Sequence, residues 1–319
     1  MQTFIIRRLL FMIPTLLGAT LFVFLLMRVV PGDIAYALLA GEEGAAAVDP
    51  ASLEKLREEL GTNNPLYQQY WDWIKGIPVG DLGDSMWNRL PVADEIMIRM
   101  PITGQLAIMS VIIGCLVGIP LGIISALKQD TWIDAIARFF SIFFLALPAF
   151  WEGLMILMLT VRVWRWMPPL GRNYLWEDPG ANMAQLIFPA LIIGFNLMAI
   201  VTRMTRSTML EVLREDYIRT ARAKGLANTV VIWRHVLKNS MIPVVTVVSM
   251  SVGGLLGGTV VSETVFSIPG IGVHLIEAIR NRDYTTVQAL ILVFAFIFVF
   301  INLLVDIIYG WLDPRISNN

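Results

Sequence analysis

The stretch Glu211–Pro243 reads EVLREDYIRTARAKGLANTVVIWRHVLKNSMIP and is the longest polar segment in the second half of a chain made mostly of apolar runs. Its first part, Glu211–Lys224, is rich in good helix formers, which predicts a helix. Gly225 follows a basic turn, where a glycine C′ cap is expected. A second short helix, roughly Asn228–Leu237, should then lead into the next apolar run. Helix, glycine break and helix together indicate a rigid docking element held between two membrane spans.

Hydrophobic residues make up 56% of the chain and charged residues 15%, so the chain is far more apolar than a soluble domain. Five windows without Asp, Glu, Lys or Arg are each long enough for the roughly 20 residues that cross a bilayer core. A sixth, Phe139–Val161, is interrupted only by Glu152. Because a spanning segment must satisfy its own backbone hydrogen bonds, we predict an all-α integral membrane protein with six transmembrane helices. The charge-free windows are Leu9–Met27, Met100–Leu127, Pro179–Thr202, Asn239–Ser262 and Tyr284–Val305.

The distribution of basic residues predicts the orientation. Arg7 and Arg8 precede the first apolar run, which favours an N-terminus in the cytoplasm. Alternation then puts the segment Arg203–Lys238 inside as well, and this segment holds eight Lys and Arg residues against five in the short outer loops. No small-residue cleavage signature closes the first run, which indicates an uncleaved signal anchor. We therefore expect a multi-pass protein with both termini in the cytoplasm.

Tyr217–Leu226 resembles the EAA loop of permease subunits of bacterial ABC importers, in the version of the dipeptide/oligopeptide/nickel family. The family pattern is Glu-Ala-Ala, three residues, Gly, nine residues, then Ile-x-Leu-Pro. Arg219-Thr220-Ala221 stands in place of Glu-Ala-Ala, and Gly225 falls at the glycine. Nine residues on, only Leu237 matches, and the proline comes later, at Pro243. The alternative is a basic loop that only sets topology.

In that family the loop forms coupling helices that seat in a groove on the ATPase subunit. The resemblance therefore implies that the loop 211–238 couples ATP hydrolysis to transport. The residues that it implies are Glu215, Asp216, Tyr217, Arg219, Thr220, Ala221, Lys224, Gly225, Leu226 and His235.

Other stretches extend the resemblance over nearly the whole chain. Leu56–Gly61 and Gly80–Ser85 are similar to the outer loop of the family, which faces the substrate-binding protein. The end of the chain, Asp313-Pro314-Arg315, is similar to family C-termini. The signature Glu-x-x-Phe-x-x-Pro-Gly-x-Gly is matched by Glu263, Phe266, Pro269, Gly270 and Gly272.

The predicted organisation has three parts. Residues 1–30 hold an N-terminal tail and the first transmembrane helix, and 31–100 form an outer loop subdomain. Residues 101–319 form the core permease domain, with five transmembrane helices. In the loop, Asp49 suits an N-cap and Gly61 a helix end. Its aromatic cluster (Tyr67, Tyr70, Trp71, Trp73) could be an interfacial belt, a packed core or a partner platform.

Within the spans, Glu152 is a candidate for the translocation pathway. A carboxylate in mid-span is costly unless it is paired or faces water. It could face the passage and meet a cationic group of the substrate, reach an interface, or pair with a partner subunit. The resemblance implies an apolar residue at this position, so Glu152 is an individual feature.

The remaining pathway candidates lie in the fifth span and just after it. Small residues at a four-residue spacing permit close helix approach. They could pack within this chain or line the passage between two permeases. These candidates are Gly253, Gly254, Gly257, Gly258 and Glu263.

Catalytic motifs are missing from the sequence. It has no G-x-x-x-x-G-K-[ST] phosphate loop and no H-E-x-x-H metal site. By the predicted topology, His235 and His274 lie on opposite sides of the membrane and cannot share a metal. We expect no enzyme activity and no cofactor in this chain. ATP and Mg²⁺ would belong to partner ATPase subunits.

The resemblance implies a permease subunit of a bacterial inner-membrane ABC importer that forms half of the translocation pathway, with peptides as the substrate. Its partners would be a second homologous permease, in a heterodimer, two ATP-binding subunits and an extracytoplasmic substrate-binding protein, with no nucleic acid. Nickel complexes, glutathione or oligosaccharides are alternative substrates. An ion-driven secondary transporter using Glu152 and Asp306 is a rival, but no convincing internal repeat supports it. A membrane enzyme or a scaffold is the remaining alternative.

Overall fold

The computed structural model describes the backbone of residues 2–29, 32–43 and 48–312, and over these ranges the chain is built from helices. The predicted all-α membrane class is confirmed. The helices are α1 Gln2–Val29, α2 Ile34–Glu43, α3 Pro50–Glu59, α4 Leu66–Ile74, α5 Val92–Leu127, α6 Trp132–Ala146, α7 Ala149–Trp164, α8 Pro179–Leu213, α9 Asp216–Ala223, α10 Asn228–Val230, α11 Leu237–Phe266, α12 Ile271–Arg280 and α13 Tyr284–Leu312, with a 3₁₀ turn at Ile77–Val79 and a π-helix at Val231–Val236.

Five of the six predicted spans are long helices. Among the described residues, five helical segments are long and apolar enough to cross a membrane. They correspond to predicted spans one, two, four, five and six. These segments are Leu10–Val29, Val92–Leu127, Pro179–Leu213, Asn228–Leu255 and Tyr284–Leu304.

The third predicted span, 139–161, is not one straight helix. It is divided between α6 and α7, which meet at a bend of 99°. Leu147 is extended at φ −86° and ψ 134°, as expected for a residue before a proline. Pro148 then serves as the N-cap of α7. The carboxylate of Glu152 therefore lies in the first turn of a half-helix rather than in mid-helix.

One compact unit of the chain comprises Ile102–Ile268 and the end of α13 from residue 301. Its central helix is α8, whose apolar window is 61% buried, against 22–28% for the other four long segments. Buried side chains of α5, α8 and α11 form its main cluster, among them Leu106, Leu197 and Val244.

Three buried glycines of α5 lie against α8 in this unit. A Cβ at Gly114 would come within 2.8 Å of Leu197, and one at Gly122 within 2.5 Å of the Cβ of Thr205. At Gly118 the carbonyl of Met198 is 3.0 Å away. The two helix backbones therefore approach at a distance that only glycine allows.

The other unit comprises Gln2–Pro101 and Pro269–Phe300. Its organising group is the carboxylate of Asp283, which is 3% exposed. Asp283 accepts hydrogen bonds from the hydroxyls of Ser85 (2.6 Å) and Thr286 (2.7 Å) and from the backbone N–H of Met86 (3.1 Å). It thereby ties the Gly80–Ser85 stretch to the beginning of α13.

The predicted caps of α3 are confirmed. The side chain of Asp49 accepts from the backbone N–H of Ser52 at 3.1 Å. Hydrogen bonds from Ser52 hold the pKa of Asp49 below its ordinary value. Gly61 has φ +67° at the other end. The outer-loop prediction of a helix between Asp49 and Gly61 therefore holds in detail.

The aromatic cluster of the outer loop is divided. The ring of Tyr70 packs edge-on against Phe24 of α1, with centroids 5.2 Å apart, and contacts Trp73. Tyr67 and Trp71 are exposed by 78% and 65%. Part of the cluster is thus packed core, and part is open to a bilayer interface or a partner. The predicted domain boundaries 1–30, 31–100 and 101–319 stay a prediction.

Candidate functional site

The segment 214–236, called the polar segment below, begins with a break that the sequence did not indicate. The prediction of one helix over Glu211–Lys224 is wrong. α8 continues to Leu213, Glu215 is extended at ψ 143°, and α9 starts at Asp216. The break at Glu215 turns the chain, and in this arrangement Ile218 of α9 is buried.

The inner face of α9 is anchored by apolar contacts. Ile218 is fully buried and Ala221 is 9% exposed, in a cluster with Met209 of α8 and with Val231 and Val236. Burying an isoleucine side chain is worth about 1.5–3 kcal/mol. This cluster fixes α9 against the end of α8 and the start of α11.

The end of α9 is a complete Schellman motif. The backbone N–H of Gly225 donates to the carbonyl of Arg222 at 2.9 Å, and that of Leu226 to Ala221 at 3.4 Å. Gly225 has φ +80°, and a Cβ there would meet no atom of the described chain within 4 Å. The predicted C′ cap is confirmed, and backbone conformation rather than space is what requires glycine.

The outer face of the polar segment carries most of the residues predicted for coupling. His235 is half-buried, whereas Ala221 faces the cluster below. Asp216 and Arg219 pair at 3.3 Å, and the hydroxyl of Tyr217 accepts from Asn239 at 2.8 Å. The exposed residues are Glu215, Asp216, Tyr217, Arg219, Thr220, Lys224, Gly225 and Leu226.

Two exposed apolar residues of this surface were missed from the sequence. Trp233 is 60% exposed and Val230 39% exposed. Both lie between Gly225 and the start of α11, close in sequence to basic residues. Large apolar side chains that stay exposed beside charged groups are typical of an interaction surface.

The second predicted helix, 228–237, is not a separate element. The short α10 passes into the π-helix Val231–Val236 and then into α11 without a break. Pro243 lies inside α11. π-Helical turns are rare and occur frequently at functional sites. The polar segment is therefore joined rigidly to the fifth span.

A buried ion pair next to the polar segment also escaped the sequence analysis. The carboxylate of Asp134, which is fully buried, accepts two hydrogen bonds from the guanidinium of Arg206, at 2.8 and 2.9 Å. The hydroxyl of Ser125 donates to the same carboxylate at 2.6 Å. The pair joins the first turn of α6 to α8.

Arg206 also borders an open cleft of about 660 Å³ at the start of the polar segment. Basic and acidic side chains alternate around it, so it has no strong single charge. Its lining residues are Arg206, Ser207, Leu210, Glu211, Arg214, Glu215, Asp216 and Arg219.

The candidates for the translocation pathway are distributed over several helices. Glu152 is 7% exposed, and its Oε2 accepts from the amide of Asn196 at 3.3 Å. Glu263 is fully buried, and its Oε1 accepts from the hydroxyl of Thr103 at 2.6 Å. The structure does not bring these two carboxylates into contact.

The glycines of α11 are open. A Cβ at Gly254 or Gly257 would meet no atom of the described chain within 4 Å, and one at Gly258 only a methyl of Ile193 at 4.0 Å. Gly253 is half-buried. Within the described part of the chain, Gly254 and Gly257 are therefore not packing contacts.

The side chain of Asp306 and the residues Asp313–Arg315 lie outside the described part of the chain. Among the described residues, no group of three or more His, Cys, Asp and Glu side chains is placed to hold a metal ion.

Comparisons of this chain with known proteins indicate one family of transport proteins. Residues 118–318 match the family described as "Binding-protein-dependent transport system inner membrane component", and residues 1–107 match the N-terminal family of the same systems. The dipeptide transport system permease protein of Escherichia coli K12 is 41% identical, covering 100% of this chain and 99% of that protein.

Two further relatives are similar over their full lengths. The dipeptide permease of Alkalihalophilus pseudofirmus is 40% identical over 99% of this chain and 100% of that protein. The glutathione transport system permease protein of E. coli K12 is 40% identical over 99% of each. The inward-facing MetNI methionine ABC transporter has the same fold, with a TM-score of 0.56 at 14% identity, over 68% of this chain and 96% of that chain.

Proposed function

The chain belongs to the family of inner membrane components of binding-protein-dependent transport systems, and from that premise we propose that it is one of two permeases in an ABC importer of peptides. The relatives named for dipeptide and glutathione transport share about 40% of their residues with it over their whole length. Dipeptides and glutathione are both small peptides, which is the chemistry common to these names.

The single observation that carries the coupling role is the construction of the polar segment. Its inner face is anchored by Ile218 and Ala221, while its outer face is exposed around Tyr217, Leu226 and Trp233. An element that is fixed on one side and exposed on the other can bind a partner and pass the partner's movement to the helices to which it is joined. We assign the partner as the ATP-binding subunit, with the polar segment seated in its groove.

In this mechanism, ATP-driven closure of two ATPase subunits moves α8 and α11 through the polar segment. The two permeases then exchange outward-open and inward-open states, and the direction of transport comes from the differential stability of these states. No bond is made or broken in this chain. A binding protein delivers the peptide on the outer face, and both termini lie in the cytoplasm.

The open glycines of α11 support a second permease as a neighbour. Small residues allow a helix from another chain to approach closely, and in the described chain nothing of this protein covers Gly254 and Gly257. We assign this face to the permease heterodimer.

The test is co-expression with candidate partner genes, purification in mild detergent, and reconstitution into liposomes. The expected result is recovery of a second permease and ATP-binding subunits, with ATP-dependent uptake of a labelled dipeptide that needs the binding protein. Uptake by this chain alone, driven by a proton or sodium gradient, would contradict the proposal and favour an ion-driven transporter.

A further inference from the structure

Glu152, in the membrane part of the chain, has a buried carboxylate oxygen with no hydrogen-bond partner among the described residues. Glu152 lies in the first turn of α7, and its backbone N–H donates to the carbonyl of Pro148 at 3.1 Å. The residue is 7% exposed. Asn196 reaches Oε2, while Oε1 has no hydrogen-bond partner among the described residues.

The surroundings do not neutralise this carboxylate. The three atoms nearest to a Cβ built at the adjacent Gly153 belong to the apolar side chains of Val265, Phe266 and Ile192. None of the ion pairs among the described residues involves Glu152. A carboxylate has about four acceptor sites, and Asn196 occupies one of them. Leaving a buried charged group without partners is costly, so the remaining acceptors need a donor from outside the described part of the chain.

The local backbone suits a ligand site. The bend between Ala146 and Ala149 interrupts the third span, and half-helices that begin at such breaks form substrate sites in transporters. The N-terminus of α7 also stabilises negative charge in its first turn. A carboxylate at this position is therefore placed to attract a cation.

We propose that Glu152, oriented by Asn196, binds the ammonium group of the transported peptide during its passage through the membrane. This inference rests on the proposed function, because dipeptides, tripeptides and glutathione all carry a free amino group. An ammonium group has three N–H donors and no acceptor, which complements a carboxylate with open acceptor sites. A side chain of the partner permease is the competing donor.

The first test measures attraction of an ammonium probe without any peptide. In a chain with Cys115→Ala, the substitution Met155→Cys places a thiol one helical turn from Glu152 and leaves Asn196 in place. The assembled complex is treated with an aminoethyl thiosulfonate reagent and with a neutral reagent of the same size. We expect the charged reagent to react faster, and the ratio of the two rates to fall about tenfold when Glu152→Gln is added, the effect of one charge-assisted contact.

The second test measures uptake of a labelled dipeptide by reconstituted complexes. We expect Glu152→Gln to lower uptake about tenfold and Glu152→Asp, which keeps the carboxylate, to recover a large part of it. The matched control is Thr160→Val on the same helix, because Thr160 is 1% exposed and its hydroxyl bonds only within α7. The control should stay within about twofold of wild type, as expected for an intrahelical hydroxyl.

The outcomes separate the alternatives. A thiol at position 155 that neither reagent reaches, or a rate ratio that Glu152→Gln leaves unchanged, overturns the proposal. Loss of the permease heterodimer in Glu152→Gln, together with an unreactive thiol, also overturns the proposal. That result would mean that the donor to Glu152 comes from the partner subunit. If the wild-type complex takes up no peptide, the proposed function fails, while the reagent ratio still decides whether Glu152 attracts an ammonium group.

Discussion

Two sets of glycines, one on α5 and one on α11, have opposite surroundings in this protein. On α5, Gly114, Gly118 and Gly122 are buried against α8, so that an added Cβ would overlap Thr205 or Leu197. On α11, Gly254 and Gly257 face no atom of the described chain within 4 Å. The first stripe holds the chain together, and we assign the second to contact with another chain. Glycines close together on one helix are thus packed within this chain on α5 and open on α11.

The largest expected effect is at the buried stripe. Gly122→Leu would force its Cβ to within 2.5 Å of Thr205 and 2.8 Å of the carbonyl of Thr202. Because backbone atoms cannot move aside as a flexible side chain can, we expect a loss of at least about 3 kcal/mol in stability. The measurement is the yield of monodisperse protein in detergent and its thermal unfolding. Normal yield and an unchanged unfolding temperature would contradict the close packing of α5 and α8.

The next effect should be on assembly alone. Gly257→Leu adds a side chain where the isolated chain is open, so its own unfolding temperature should change little. Recovery of the second permease in a pull-down should fall about tenfold or more, as for a clash at the centre of an interface. If Gly257→Leu destabilised the isolated chain as much as Gly122→Leu, the contrast between the two stripes would be lost.

A third kind of glycine is restricted by backbone conformation and not by neighbours. Gly225→Val should cost about 1–3 kcal/mol locally, because a β-branched residue is strained at φ +80°. We expect normal insertion and assembly, with peptide-stimulated ATPase activity reduced severalfold. The matched control is Gly171→Val, since Gly171 also has positive φ (+86°) and no atom within 4 Å of its Cβ position. Equal ATPase loss in both variants would mean that strain as such, and not the polar segment, is responsible.

The positions of the glycines in the sequence could not show which of them pack within the chain, which are open and which are required by backbone conformation. The sequence predicted five of the six spans and the caps at Asp49 and Gly225, because those depend on local composition and local hydrogen bonds. It placed a helix across Glu215, where neither proline nor glycine marks the break, because burial of Ile218 decides that turn.

Prolines show the same limit. Pro148 ends α6, whereas Pro14, Pro189 and Pro243 lie inside long helices. Proline can end a helix at each of these four positions, but only at Pro148 does a helix end, so the residue type alone does not predict the break. The pair of Asp134 and Arg206 is separated by 72 residues, so its bidentate contact had no local signal.

The smallest expected effect tests the hydrogen bond that accompanies the buried stripe. The hydroxyl of Thr202 on α8 donates to the carbonyl of Gly118 on α5 at 3.2 Å. Thr202→Val keeps the shape of the side chain and removes the donor, and interhelical hydrogen bonds of this kind are worth about 0.6 kcal/mol in a membrane. We expect a small fall in unfolding temperature, with assembly and peptide uptake retained. A loss approaching that of Gly122→Leu would show that the contact of α5 with α8 depends on this polar bond more than on the absence of side chains at the glycines.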